Sequence, residues 1–313
     1  MKSERALAYA AFAIVCTVWG TTYLAIRVAV ETIPPMLLTG VRYLIAGSIL
    51  FAISRLRGDV LPLGRQALTN VSIVGILMVA GGNFSVIWAE QWVPSGIAAL
   101  LVATSPFWAA MMEMFRAGGE QISVRKGAGM IVGFLGVALL VTPGGANGTF
   151  DRHVLLGALA IQFGALAWQY GTLRGKHTLG GIAPLMSSAL QMLVGGAVIT
   201  VIGLATGEMQ RFVVTTRTFT ALAYLIIFGS VFGYTSYVYA LKHMKTTTMS
   251  LYAYVNPVIA VLVGWMILHE KLTWVSVVAM SVILSGVALV QTASRTRQRH
   301  FTIAGGVATK KAA

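Results

Sequence analysis

The apolar residues of this chain fall into ten long runs, at roughly 7–27, 34–54, 68–89, 95–115, 127–142, 153–173, 183–205, 219–240, 247–268 and 273–292. Each is about the length a helix needs to cross the roughly 30 Å hydrocarbon layer of a bilayer. The fifth is the shortest, at 16 residues. Such runs must be helical, because lipid offers backbone N–H and C=O groups no partner outside their own segment. The pattern predicts an all-α membrane protein with ten transmembrane helices.

Composition agrees. The 313 residues are 57% hydrophobic and only 10% charged, with mean hydropathy +0.80. A soluble domain could not hydrate itself with so few charges. The formal charge of +14 invites a nucleic-acid reading. The basic residues, however, sit in short loops between apolar runs and build no basic face, so no nucleic-acid partner is expected. Their placement orients the chain instead. With the N-terminus inside, seventeen Lys and Arg lie in inner segments. Arg27, Arg152, Arg211, Arg217 and Lys271 lie outside, and Arg42 lies within a span. Both termini are therefore expected on the cytoplasmic side of a bacterial inner membrane. The start, Met1-Lys2-Ser3-Glu4-Arg5, shows no cleavage site of a signal peptide. The single cysteine, Cys16, excludes an internal disulfide and a cysteine-based metal site.

The two halves resemble each other. Ser105-Pro106 matches Asn256-Pro257 at an offset of 151, which also pairs Gly82 with Gly233 and Trp88 with Tyr239. Gly136-Val-Ala-Leu139 returns as Gly286-Val-Ala-Leu289, and Trp19 matches Trp168. Five helices per half is an odd number, so the second half should lie upside down. The loops agree: Gln91 to Pro94 carries no basic residue, whereas its counterpart carries Lys242, His243 and Lys245. The expected organisation is a cytoplasmic segment 1–6, a five-helix repeat 7–142, a periplasmic linker 143–152, a second repeat 153–292 and a basic cytoplasmic tail 293–313 without fixed structure. Inverted repeats are a signature of secondary transporters, since two flipped copies of one unit provide two conformations of similar energy.

Over residues 7–292 the chain resembles the drug/metabolite transporter superfamily, EamA type. The features that carry this are Val18-Trp19-Gly20-Thr21, Arg42-Tyr43-Leu44-Ile45-Ala46, Tyr237-Val-Tyr-Ala240, Asn256-Pro257, His269-Glu270-Lys271-Leu272-Thr273 and Ser285-Gly286-Val287. The resemblance implies a central cavity lined by helices 1, 3, 4, 6, 8 and 9, and transport of small solutes, often outward. That superfamily handles amino acids, nucleosides, sugars and cationic drugs. One departure is that the first-half counterpart of Glu270 is displaced to Glu120, so the same role is not carried over.

Polar groups inside a span are costly unless they line water or pair with neighbours. Arg42 lies about eight residues into its helix, so it is either an anion-recognising or gating charge or a structural cation bonded locally. Pro106 and Pro257 should kink or unwind helices 4 and 9, with Ser105 and Asn256 beside them to cap freed carbonyls or meet a solute. Trp19 and Trp168 lie mid-helix, away from the interfaces where Trp gathers. With Thr21, Asn83, Trp108, Gln162, Gln169, Tyr234 and Tyr237 they suggest an aromatic, weakly polar cavity; helix packing is the plainer account of each residue alone. Trp88, Trp92, Trp265 and Trp274 read as interface anchors, and the pairs Gly129/Gly133 and Gly229/Gly233 as sites of close helix contact.

Glu90 and Glu113 lie near span ends and are the acids available for proton coupling; facilitated exchange fits equally. No phosphate-binding loop, His-Glu-x-x-His or assembled nucleophile set is present, so neither an enzyme nor an ATP-driven pump is indicated. No cofactor or metal is expected. The expected function is a secondary transporter exporting small amphipathic metabolites such as amino acids by alternating access. The alternatives are a lipid flippase-like protein and a drug efflux permease. Its partners are a small-molecule solute and membrane lipid, as a monomer or a homodimer.

Overall fold

The computed structural model describes residues 2–62, 64–115, 123–140, 142, 152–244 and 252–311. Among these there is no strand. Helix α1 is Lys2–Ala29 and α2 is Pro35–Leu56. The third stretch, α3, covers Arg65–Ala89, and its middle, Ile76–Asn83, is π-helical. Helix α4 comes in two pieces, Ser95–Val102 and Ser105–Phe115. Then follow α5 (Val124–Leu140), α6 (Arg152–Thr178) and α7 (Pro184–Ala205). Helix α8 runs from Thr216–Tyr224 through a π-helical Leu225–Phe232 to Gly233–His243. The last two are α9 (Tyr252–Leu268) and α10 (Trp274–Lys311). Among the described residues eight helices are long and apolar enough to cross a membrane, and Tyr254–Leu268 is a shorter apolar one.

Three boundaries differ from the sequence reading. Helix α1 already begins at Lys2, inside the segment 1–6. Arg152, assigned to the linker 143–152, opens α6, and the rest of that linker lies outside the described residues. The tail 293–313, expected to lack fixed structure, continues α10 through Lys311. The physical reason is common to all three. Hydropathy marks where lipid begins, whereas a helix can run on through Lys, Glu, Arg, Gln and Ala, which are good helix formers.

The helices pack through small residues. Helix α2 lies along α7, where a Cβ on Gly47 would stand 3.1 Å from the Ala189 carbonyl oxygen. Helix α5 lies along α10, where a Cβ on Gly286 would stand 2.6 Å from the Gly129 oxygen. Helix α1 packs on α8 and α9, and α6 packs on α3 and α4. Without a hydrophobic drive between helices in lipid, such backbone approach supplies the association.

Side-chain bonds sort the links into two ends. At one end Thr32 Oγ1 donates to the Val213 oxygen (2.7 Å), Arg217 pairs with Glu31 (3.0 Å), and Arg27 bonds the Glu90 carbonyl oxygen. The Glu208 carboxylate accepts from the Leu37 N–H (3.0 Å) at the start of α2. At the other end Arg174, late in α6, donates to Asn70 Oδ1 (3.0 Å), early in α3. The first end gathers the links α1–α2, α3–α4, α7–α8 and α9–α10, as a chain threading back and forth requires.

Candidate functional site

The π-helical turns set the site. Each π turn widens the helix and loosens its carbonyl ladder. In α8 the Gly229 oxygen accepts from Trp19 Nε1 at 3.1 Å. Gly233 closes the same segment, and its bare Cα lets the Trp19 indole approach: a Cβ there would stand 2.5 Å from Nε1. In α3 the equivalent Gly82 receives Trp168, whose ring would lie 3.1 Å from a Cβ. Thus the tryptophan of α1 rests on α8, and the tryptophan of α6 rests on α3.

Around Trp19 stands an aromatic wall. It stacks on Tyr237 at 5.3 Å and meets Tyr252 edge-on at 5.4 Å. Tyr234 lies 6.2 Å from Tyr237 and its hydroxyl bonds Ser188 of α7. Thr21 shares a 2.6 Å hydrogen bond with the Tyr224 hydroxyl. These rings are half-buried, with apolar faces and polar rims, which suits an amphipathic surface.

A second cluster centres on Gln162. Its Oε1 accepts from Trp108 Nε1 and from Thr104 Oγ1, both at 2.9 Å, and its Nε2 donates to the Leu101 oxygen at 3.1 Å. Gln162 therefore ties α6 to the break in α4. Pro106 restarts the helix there, Ser105 Oγ donates to the Val102 oxygen at 2.6 Å, and the expectation of an interrupted helix holds for this proline. Pro257 differs: it lies inside an uninterrupted α9. With its amide turned toward its acceptors, Asn256 donates to the Tyr252 oxygen (3.1 Å) and the Cys16 oxygen (3.0 Å), joining α9 to α1.

Arg42 is buried and does not reach out toward an interface. Its Nε donates to Ser230 Oγ in the π turn of α8 at 3.0 Å, and its guanidinium lies 4.9 Å over the Tyr43 ring. Asn83 closes the π turn of α3, donating to the Met78 oxygen at 3.2 Å. Gln169 is half-buried beside Trp168. Glu113 lies on α4, its side chain outside the described set, as is Glu120. Trp265 and Trp274 are exposed, in keeping with interface anchors.

Sequence reading missed the carboxylates that cross between halves. His269 takes φ 54°, a left-handed value costly for a non-glycine residue. The turn returns the Glu270 N–H to the Gly264 oxygen at 3.2 Å. The Glu270 carboxylate then accepts from the N–H groups of Ser95 (2.8 Å) and Gly96 (3.3 Å), the first turn of α4. An anion there satisfies orphan donors and the helix dipole together. Glu208 does the same for α2. The available signal was that α2 and α4 follow Pro34 and Pro94, with no local side-chain cap, in a chain with only nine acids.

Glu90, just past α3, is fully buried, and neither carboxylate oxygen has a hydrogen-bond partner. Burial first, then the nearby Glu270 carboxylate, push its carboxyl well above the usual carboxylate range, opposed by Arg27 and Arg42.

Stacked apolar helices, two matching π turns and half-buried aromatics define a multi-pass helical membrane protein. The model of the EamA-like transporter family matches the chain twice, over residues 6–142 and 155–292. The chain belongs to this family, and it is a membrane transporter. It is 35% identical over 274 residues to the inner membrane transporter YedA of Escherichia coli (strain K12), covering 87% of each chain. It is 25% identical over 259 residues to the transporter YoaV of Bacillus subtilis (strain 168), covering 83% of this chain and 88% of that one. A chain solved by crystallography shares the fold at TM-score 0.62 and 20% identity, covering 94% of this chain and 99% of that chain.

Proposed function

We propose that this protein is an inner-membrane secondary transporter that exports small amphipathic metabolites such as amino acids by alternating access. In this reading ten helices cross the membrane, both termini are cytoplasmic, and 7–142 and 153–292 are inverted five-helix repeats. The supporting observation is the pair of π turns at Ile76–Asn83 and Leu225–Phe232, each taking the tryptophan of the other half. The packing contacts also exchange: α1 on α8 and α9 corresponds to α6 on α3 and α4. The name of the relative YedA supports the inner membrane as the location.

The solute path follows the two clusters. Trp19, Tyr234, Tyr237 and Thr21 offer ring faces with hydroxyl rims. Trp108, Gln162 and Ser105 offer amide and hydroxyl groups at the α4 break. Trp168, Gln169, Asn83 and Asn256 complete the lining, and Arg42 positions α2 against the π turn of α8. Pro106 is the hinge of α4, with Pro257 as its partner position. Rings with polar rims suit solutes that are part apolar and part hydrogen-bonding.

The test is solute flux in proteoliposomes containing only this protein, across amino acids, nucleosides and cationic dyes. Flux of amphipathic amino acids, lost in Trp19→Ala and Trp168→Ala with insertion intact, is the expected result. No flux for any solute overturns the reading. Normal flux in both variants removes the tryptophans from the path.

A further inference from the structure

Glu90 is fully buried at the end that gathers the links α1–α2, α3–α4, α7–α8 and α9–α10. Three facts define its position. Its carboxylate is fully buried with both oxygens unpartnered. Arg27, the cation next to it, spends a donor on the Glu90 main-chain oxygen. Glu270, the other acid in the cluster, is engaged with the N–H groups of Ser95 and Gly96. Ser95 Oγ is also buried without a partner. Gly264 leaves the room they occupy, since a Cβ there would stand 2.5 Å from Glu270 Oε2 and 2.8 Å from Ser95 Oγ.

Among the described residues, few charged and titratable groups face Glu90. From α1 come Tyr23 and Arg27, from α2 Arg42, and from the α9–α10 turn Glu270. His153 at the start of α6 stacks on Trp92, two residues along, and is exposed. Among the described residues neither carboxylate oxygen accepts a side-chain hydrogen bond, so the ionised form has only the nearby Arg27 and Arg42 cations to offset the loss of water.

We propose that Glu90 is a proton-binding site that locks this end of the transporter shut, and that loss of its proton to outside water opens it. The proposal rests on the transporter reading and adds its coupling group. In the shut form Glu90 is a neutral carboxylic acid and Arg27 holds the carbonyl of the same residue. When the O–H bond breaks, the proton passes to water and the carboxylate is left with one negative charge. That charge must be hydrated or paired with Arg27, and either outcome pulls Arg27 off the carbonyl and separates α1 from the α3–α4 turn. The sign is fixed by linkage. The shut form binds the proton more tightly than the open form, so shutting is favoured at low pH. That preference is lost as pH rises through the raised value of the shut form.

The test uses the full chain with Cys16→Ala and Ser95→Cys, in right-side-out membrane vesicles treated with a membrane-impermeant maleimide. Labelling is divided by that of Val213→Cys, an exposed position at the same end, which cancels the pH dependence of thiol reactivity. The expected result is that the ratio rises about tenfold from about pH 5 to about pH 8, and stays low and flat when Glu90→Gln is added. Should Glu90→Gln fail to insert, Glu270→Gln serves: removing the like charge and the α4 cap moves the rise to lower pH. A ratio independent of pH in the parent, or an equal rise in Glu90→Gln, overturns the proposal. Labelling needs no solute, so this result stands apart from the flux experiment.

Discussion

Trp19 lies against Gly233 so closely that a single added carbon would meet its indole nitrogen at 2.5 Å. The contact seats the ring over the π turn and delivers its N–H to the Gly229 oxygen. In the other half Trp168 faces Gly82 at a looser 3.1 Å. Two equivalent joints therefore differ in tightness.

That difference predicts unequal variants. Gly233→Ala should displace the Trp19 ring, cost about 1–3 kcal/mol through overpacking, and sharply reduce flux. Gly82→Ala should be milder on both counts, because its neighbour need give only a few tenths of an ångström. Thermal unfolding of the purified protein in detergent, beside flux in proteoliposomes, makes the comparison. Equal effects would deny the joint its role.

Where backbone meets backbone there is nothing to yield. A Cβ on Gly286 would stand 2.6 Å from both the Gly129 oxygen and the Gly133 nitrogen. Gly286→Ala should therefore push α10 off α5 and cost about 3 kcal/mol, at the upper end for overpacking. The expected observation is a lower melting temperature with little change in solute selectivity.

The carboxylate caps are testable by charge. Glu270→Gln keeps the shape but loses the anion at the first turn of α4, at a cost of about 1 kcal/mol; Glu208→Gln should do the same at α2. Replacing either by Ala should cost more, since the N–H groups then lose their acceptor. Differential scanning measurements on the four variants check the order.

Gln162 accepts from two side chains at once, Trp108 and Thr104. Gln162→Leu should strand both donors, costing about 1–3 kcal/mol for each one left dry. Gln162→Glu retains the acceptor and should recover much of the stability. If Gln162→Leu matches the parent in both stability and flux, water already serves these groups and the cluster is not part of the framework.

For Arg42, Lys cannot reproduce the arrangement. Its single ammonium cannot both reach Ser230 and lie flat over Tyr43. Arg42→Lys should reduce flux severalfold, and Ser230→Ala should reproduce part of that loss. Full activity in Arg42→Lys would show that charge alone suffices there.

Much was legible in the chain because lipid is an undemanding reader. Runs of apolar residues have to become helices in hydrocarbon, and the runs starting near residues 34, 95, 183 and 273 start within a residue or two of α2, α4, α7 and α10. The likeness of the two halves was visible as spacing, and the family model matches the chain twice, over residues 6–142 and 155–292. The role of Gly129 and Gly133 in close contact was readable because only glycine admits a neighbouring backbone.

Tertiary structure alone decided the rest. Nothing in the spacing distinguishes Pro106, at the start of the second piece of α4, from Pro257, inside an unbroken α9. No local pattern tells that Glu270 caps a helix 174 residues earlier, since its hydrogen bonds exist only once α9 and α4 lie side by side. In the π turn of α8 the Gly229 oxygen takes its N–H from Trp19 on another helix, a partner no local pattern names. Hydropathy is a property of single residues summed along the chain. Caps, joints and a sealed acid are properties of pairs, and pairs are made only by folding.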